Sequence, residues 1–174
     1  MQHAYDRLTQ EGGLSDEGAK GLIARWAFVE STGGPTSSNN IGGGHIGIAQ
    51  WSRSRAGALG INASSSFDDQ LSAALKEFNG SEAKAASYLK SAKTPNEGAS
   101  GAARFERAEH YDGVTGLDDW VNKTMSNMDQ VDKAIAARKN QANTAMPKQA
   151  TTSITINKSA GASTPVAGAA LVGQ

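Results

Sequence analysis

Between residues 15 and 138, apolar side chains recur at steps of three and four in one segment after another, a rhythm that confines the chain to helices packed on helices. The longest stripe is Leu117, Val121, Thr124, Met128, Val131 and Ile135, one face of an amphipathic helix in which methionine serves as adaptable core filling. Phe67, Leu71, Ala74, Leu75 and Phe78 share a face behind Ser66 and Asp69, which have the spacing of a capping box, and Asn79-Gly80 closes that helix. A shorter helix is expected over 82–91, with Ala85, Tyr88, Leu89 and Ala92 turned inward. Thr94-Pro95-Asn96-Glu97 is a helix start: Thr caps, Pro occupies the first turn and Glu reaches back to the free amides. Ala99, Ala102, Ala103 and Phe105 follow on one side of it.

One stripe ends on a charge. Ser15 caps a helix with Asp16 and Glu17 in its first turn, and Ala19, Leu22, Ile23, Trp26 and Ala27 line its inner face. Glu30 continues that spacing and so points toward the core. Burial disfavours a charged carboxylate, and the partial negative charge at a helix C-terminus disfavours it again, so both effects raise the proton affinity of Glu30. Such a group is suited to act as a general acid near neutral pH. Ser31-Thr32-Gly33-Gly34-Pro35 then ends the helix.

The loop beyond carries several polar candidates. His45 is either an ordinary loop histidine or a group that orients a water. Gln50 can both donate and accept, which suits a polar ligand, although a turn cap needs the same atoms. Trp51 offers a flat apolar face to a ligand or else fills the core. Arg53 and Arg55 suit a carboxylate ligand or stand in solvent. Gly42-Gly43-Gly44 lacks the Gly-Lys-Ser/Thr ending of a phosphate-binding loop, so it serves close backbone approach or a tight hairpin. No Asp or Glu occurs from Ser31 to Trp51. Glu77, Glu106, Glu109 and Asp112 remain as carboxylates able to fold back, with Glu106 expected to pair with Arg104 or Arg107.

Trp26-Ala27-Phe28-Val29-Glu30-Ser31, the Asn39-to-Gly44 loop and Gly47-Ile48-Ala49-Gln50-Trp51 with Arg55 resemble the phage tail lysozyme family, itself related to goose-type lysozymes and lytic transglycosylases. Gln70 through Phe78, the Lys93-to-Glu97 step and Phe105-Glu106-Arg107 resemble its later helices. The likeness covers residues 12–138. It implies a mainly α, lysozyme-like domain of the goose-type and lytic transglycosylase kind, with a small loop or hairpin near residues 36–50 beside an active-site cleft. It further implies a muramidase or lytic transglycosylase that cuts the β-1,4 bond between N-acetylmuramic acid and N-acetylglucosamine. Glu30 would be the catalytic acid, with Ser31, His45, Gln50, Trp51 and Arg55 binding substrate. A two-carboxylate hydrolase sets its second carboxylate about 5–5.5 Å or about 6.5–9.5 Å away. In lytic transglycosylases one Glu serves as acid and then base. The bare 31–51 loop favours the latter. The setting implied is a virion tail acting on the bacterial wall, and the alternative is a non-catalytic glycan-binding or structural tail protein.

Charge and composition narrow the partners. Lysines and arginines number 17, as do acidic residues, so nothing draws the chain electrostatically to nucleic acid. Cysteine is absent, which removes disulfides, thiolate chemistry and Cys-bound zinc, and the three histidines show no metal spacing, so neither cofactor nor metal is expected. No basic segment with an apolar run opens the chain, and no stretch reaches the roughly 18 apolar residues of a membrane span. Residues 139–174 turn to Ala, Thr, Ser and Gly without an aromatic, the composition of a tail or linker that contacts other tail proteins or stays unpaired.

Overall fold

In the computed structural model, which describes residues 1–30, 44–107 and 116–145, seven α-helices surround one short hairpin. They are α1 (Gln2–Gln10), α2 (Asp16–Arg25), α3 (Arg53–Leu59), α4 (Phe67–Phe78), α5 (Ala83–Ser91), α6 (Pro95–Phe105) and α7 (Leu117–Ala145). A π-helical turn, Trp26–Glu30, extends α2. Strands β1 (His45–Ile46) and β2 (Trp51–Ser52) pair antiparallel, His45 opposite Ser52 and Ile46 opposite Trp51. The domain is thus mainly α, as expected.

Helix α2 lies at the centre, against α1, α5, α6 and α7. Glycines set that packing. A Cβ on Gly18 would sit 2.0 Å from the Leu89 carbonyl oxygen, one on Gly21 2.5 Å from the Gly98 carbonyl, and one on Gly98 2.2 Å from the Glu17 carbonyl. Backbone therefore touches backbone where α2 crosses α6, an approach closed to any larger residue. Around this contact most of the expected inward residues are buried, among them Leu22, Ile23, Leu71, Phe78, Leu89, Ala99, Ala102, Phe105, Val131 and Ile135, whereas Tyr88, expected inward from α5, is exposed with Arg104 over its ring.

Three helix starts form as the local chemistry dictates. Ser15 accepts a hydrogen bond from the Gly18 amide and donates one to the Leu89 carbonyl, fastening α2 to the end of α5. Ser66 with Asp69 and Thr94 with Glu97 both close full capping boxes.

Elsewhere the structure departs from the sequence expectation. Helix α1, for which the chain offers no side-chain cap, forms nonetheless and buries Ala4 and Leu8. Helix α2 does not run on in α geometry to Glu30: from Trp26 the turn widens, so the step-of-four extrapolation no longer fixes the direction of the last residue. The described hairpin spans 45–52, overlapping the expected 36–50 and running two residues past it because its second strand carries Trp51; residues 36–43 lie outside the described residues. Helix α7 continues through Ala145, into the stretch whose composition suggested a tail.

Candidate active site

The hairpin turn is held from below. Gln70, buried in α4, accepts a hydrogen bond from the Ile48 amide at 2.7 Å and donates to the Ser65 carbonyl at 2.9 Å. Gly47 takes φ +76°, and a Cβ there would meet the Gln70 Oε1 at 2.5 Å, so the position is closed to other residues on two counts. Gln50, also left-handed at φ 44°, donates through its backbone amide and its side-chain amide to the Gly47 carbonyl, at 3.1 and 2.7 Å.

Trp51 goes inward. Its indole is fully buried and its Nε1–H donates to Glu77 Oε2 at 2.8 Å. Glu77, itself 2 % exposed near the end of α4, also receives Arg55: Nε donates to Oε1 at 2.6 Å and Nη2 to Oε2 at 2.8 Å. Arg55 Nη2 lies 3.3 Å from the Phe105 carbonyl, and the guanidinium stacks 5.2 Å from the Phe105 ring. Burial works against its charge, but the hydrogen bond to Glu77 and the negative charges of Glu106, Glu77 and Glu82 prevail and hold its pKa above the ordinary arginine value. Glu82, buried at the start of α5, pairs with Arg107.

A second indole behaves in the same way. Trp26, the first residue of the π-helical turn, donates its Nε1–H to Glu106 Oε1, just past the end of α6. Its ring meets Phe105 edge-on at 6.3 Å, and Phe105 meets Phe78 at 5.0 Å. The pairs Glu77-Phe78 and Phe105-Glu106 thus send their rings into one aromatic row while their carboxylates receive the two tryptophans.

Above these bonds opens a cleft of about 480 Å³, lined by His45, Gln50, Arg55, Glu77, Glu106 and Arg107 among others. A family model described as phage tail lysozyme matches residues 1–149. The chain belongs to the phage tail lysozyme family. No curated protein and no solved structure matches it. Membership in this family identifies a lysozyme-type, peptidoglycan-degrading enzyme of phage origin.

The cleft is partly open to solvent and mixes polar and apolar surface. It brings together His45, Gln50 and Arg55 from the expected site, with Glu77 and Glu106 folded back toward them. Trp51 is a correction: buried behind the cleft, it presents no ring face to a sugar, and of the two roles its residue type allows it fills the core. Arg55 likewise turns two of its donors to Glu77 and not to a ligand carboxylate. Arg107, a partner expected for Glu106, pairs instead with Glu82. The backbone of Glu30 closes the π-helical turn; its side chain lies outside the described residues, as do Ser31, Glu109 and Asp112. Gln70 and Glu82 were missed in the sequence, where a buried glutamine or glutamate on a helix looks like any solvated one. Among the described residues no three His, Asp or Glu side chains gather as metal ligands, and no helix is long and apolar enough to cross a membrane.

Proposed function

We propose that the cleft takes a peptidoglycan glycan strand and that Glu30 donates the proton to the bridging oxygen of the β-1,4 bond between N-acetylmuramic acid and N-acetylglucosamine. The observation that supports this reading is the bond from Trp26 to Glu106. It ties the turn that ends in Glu30 to the wall of the cleft, four residues before the carboxyl group in question. His45, Gln50 and the edge of Arg55 left by Glu77 face the same space and offer polar contacts to sugar hydroxyl and N-acetyl groups. Ser31, next to the acid, is assigned to the same subsite. Trp51 contributes by holding Glu77 in place.

The reaction we favour is the single-acid route. Glu30 protonates the leaving oxygen and then accepts a proton from the muramyl 6-hydroxyl as that oxygen closes on the anomeric carbon. Glu77 supports this choice, because three N–H donors already occupy its oxygens and leave it poorly placed to activate a water. We assign the enzyme to the phage virion tail, acting on the host wall, with residues 139–174 as the segment that meets other tail proteins.

The experiment is Glu30→Gln, with release of soluble muropeptides from purified peptidoglycan as the readout. Loss of a general acid lowers the rate by about 10²–10⁴-fold. A variant that clears peptidoglycan at the wild-type rate would show that another group carries the proton. A wild-type protein that binds the wall and releases nothing would instead support a glycan-binding tail protein.

A further inference from the structure

Two tryptophans far apart in the chain end in the same arrangement, an indole N–H received by a glutamate at the C-terminal end of a helix that borders the cleft. Trp51 and Glu77 fix the hairpin side. Trp26 and Glu106 fix the other side, the π-helical turn. A π turn needs such a fastening: its i→i+5 bonds are wider than those of the α-helix it extends, and it recurs where function, not intrinsic stability, sets the geometry. The Trp26 ring cannot slide, because it is 2 % exposed and lies edge-on to Phe105, the residue beside Glu106 in the chain. Its polar edge is the bond that ties the turn to the end of α6.

We infer that Glu106 is a positioning residue for catalysis: through the Trp26 indole it sets the π-helical turn, and with it Glu30, at the height the cleft requires. This rests on the reading of Glu30 as the acid. It gives Glu106 a role other than that of an arginine partner at the end of a helix, and other than that of a second catalytic carboxylate. The bond asks of Glu106 only an acceptor oxygen at the place now held by Oε1, which a glutamine amide oxygen also supplies. For this bond the acceptor is needed and the charge is not.

The test compares Glu106→Ala, Glu106→Gln and Trp26→Phe in the full chain, by kcat and KM on peptidoglycan fragments, thermal unfolding, and NMR of the indole and backbone amides. Misplacing a reacting group by about 1 Å costs about 100-fold in rate, so Glu106→Ala and Trp26→Phe lower kcat on that scale with little change in KM. Combined, they lower it no further than either alone. Glu106→Gln restores most of kcat. In the spectra, the amides of Ala27 to Glu30 exchange faster in Glu106→Ala than in wild type and regain protection in Glu106→Gln.

The inference is overturned if Glu106→Gln is as inactive as Glu106→Ala, since the charge would then be doing chemistry. It is equally overturned if the variants lose only thermal stability at unchanged kcat. If Glu30→Gln is fully active, the acid assignment fails by itself, while the exchange data still decide whether Glu106 holds the turn. Unchanged protection of the Ala27 to Glu30 amides in Glu106→Ala would sink the inference even for a protein without activity on peptidoglycan.

Discussion

The Trp51 indole and the Glu77 carboxylate meet at 2.8 Å inside the protein and join the hairpin to α4, 26 residues further along the chain. Because Arg55 grips the same carboxylate from the first turn of α3, one buried side chain fixes the hairpin, the helix that follows it and the floor of the cleft. Glu77→Ala leaves a mostly buried guanidinium and an indole N–H without their acceptor. Removing one partner of a buried ion pair costs about 3–5 kcal/mol, which urea unfolding measures directly. Arg55→Met combined with Glu77→Leu, which removes both charges at once, is expected to cost far less than Glu77→Ala. A small loss for Glu77→Ala would mean that water reaches Arg55 readily.

Gln70 supports the turn from 47 to 50 and takes no part in proton transfer. Glu or Ala at this position separates packing from hydrogen bonding poorly, whereas Gln70→Leu keeps much of the volume and strands the Ile48 amide and the Ser65 carbonyl. Unsatisfied buried groups cost about 1–3 kcal/mol. The turn it loosens carries Gln50 at the cleft, so KM rises more than kcat falls. Steady-state kinetics on glycan fragments checks this, and an unchanged KM would detach the turn from substrate binding.

Where α2 crosses α6, Gly21→Ala drives a methyl group into the Gly98 carbonyl. Overpacking of this kind costs about 1–3 kcal/mol, and backbone on the far side has little room to give. The expected result is a lower Tm with kcat unchanged at temperatures where the variant is folded, measured by calorimetry and muropeptide release on the same sample.

Much of this architecture is legible locally. The Ser15, Ser66 and Thr94 caps each lie within three residues of the amide they receive, so side-chain chemistry announces the start of α2, α4 and α6. Helix α1 carries no such cap, which is why Ala4 and Leu8 give it away only through their burial. The widened turn at Trp26 leaves no mark on the apolar spacing before it. Site residues in the Gly47-to-Arg55 stretch are named by the motif, but their direction is not: the core or the ligand suits Trp51 equally until Glu77 is seen 26 residues on. The bond from Trp26 to Glu106 spans 80 residues and connects two helix ends, a relation that no local pattern encodes.

Stability responds to pH at both extremes. In acid, the Ser66 side chain and amide hold Asp69 below the ordinary Asp value, and the Lys93 amide does the same for Glu97, helped by Thr94. Folded values lie below the unfolded 3.8 and 4.5, so this stability is complete above that range and lost as pH falls through the lower folded values. In base, the hydrogen bond to Asp16, with burial behind it, raises Tyr5 from 10.0 to about 12. A raised folded value means stability that is present below pH 10 and lost as pH rises toward 12. Thermal melts across pH are therefore expected to fall off below about 4 and above about 10. Tyr5→Phe should flatten the alkaline limb, and Glu97→Gln the acid one; a limb that survives its substitution belongs to other groups.

Product chemistry tests the single-acid route. Glu77 is engaged by Trp51 and Arg55, and Glu82 by Arg107, which leaves both of these buried carboxylates poorly placed to activate water. Glu106 receives the Trp26 indole, and the proposed single-acid route takes the muramyl 6-hydroxyl as its nucleophile. Mass spectrometry of exhaustively digested peptidoglycan is then expected to show 1,6-anhydromuramic ends, each fragment one water lighter than its hydrolysed counterpart. Reducing ends alone would demand a water-activating group. They would turn attention to Glu109 and Asp112, the sequence carboxylates that lie outside the described residues. Glu106→Gln distinguishes the cases further: an enzyme that keeps making anhydro ends at near its normal rate has no use for a second carboxylate at that position.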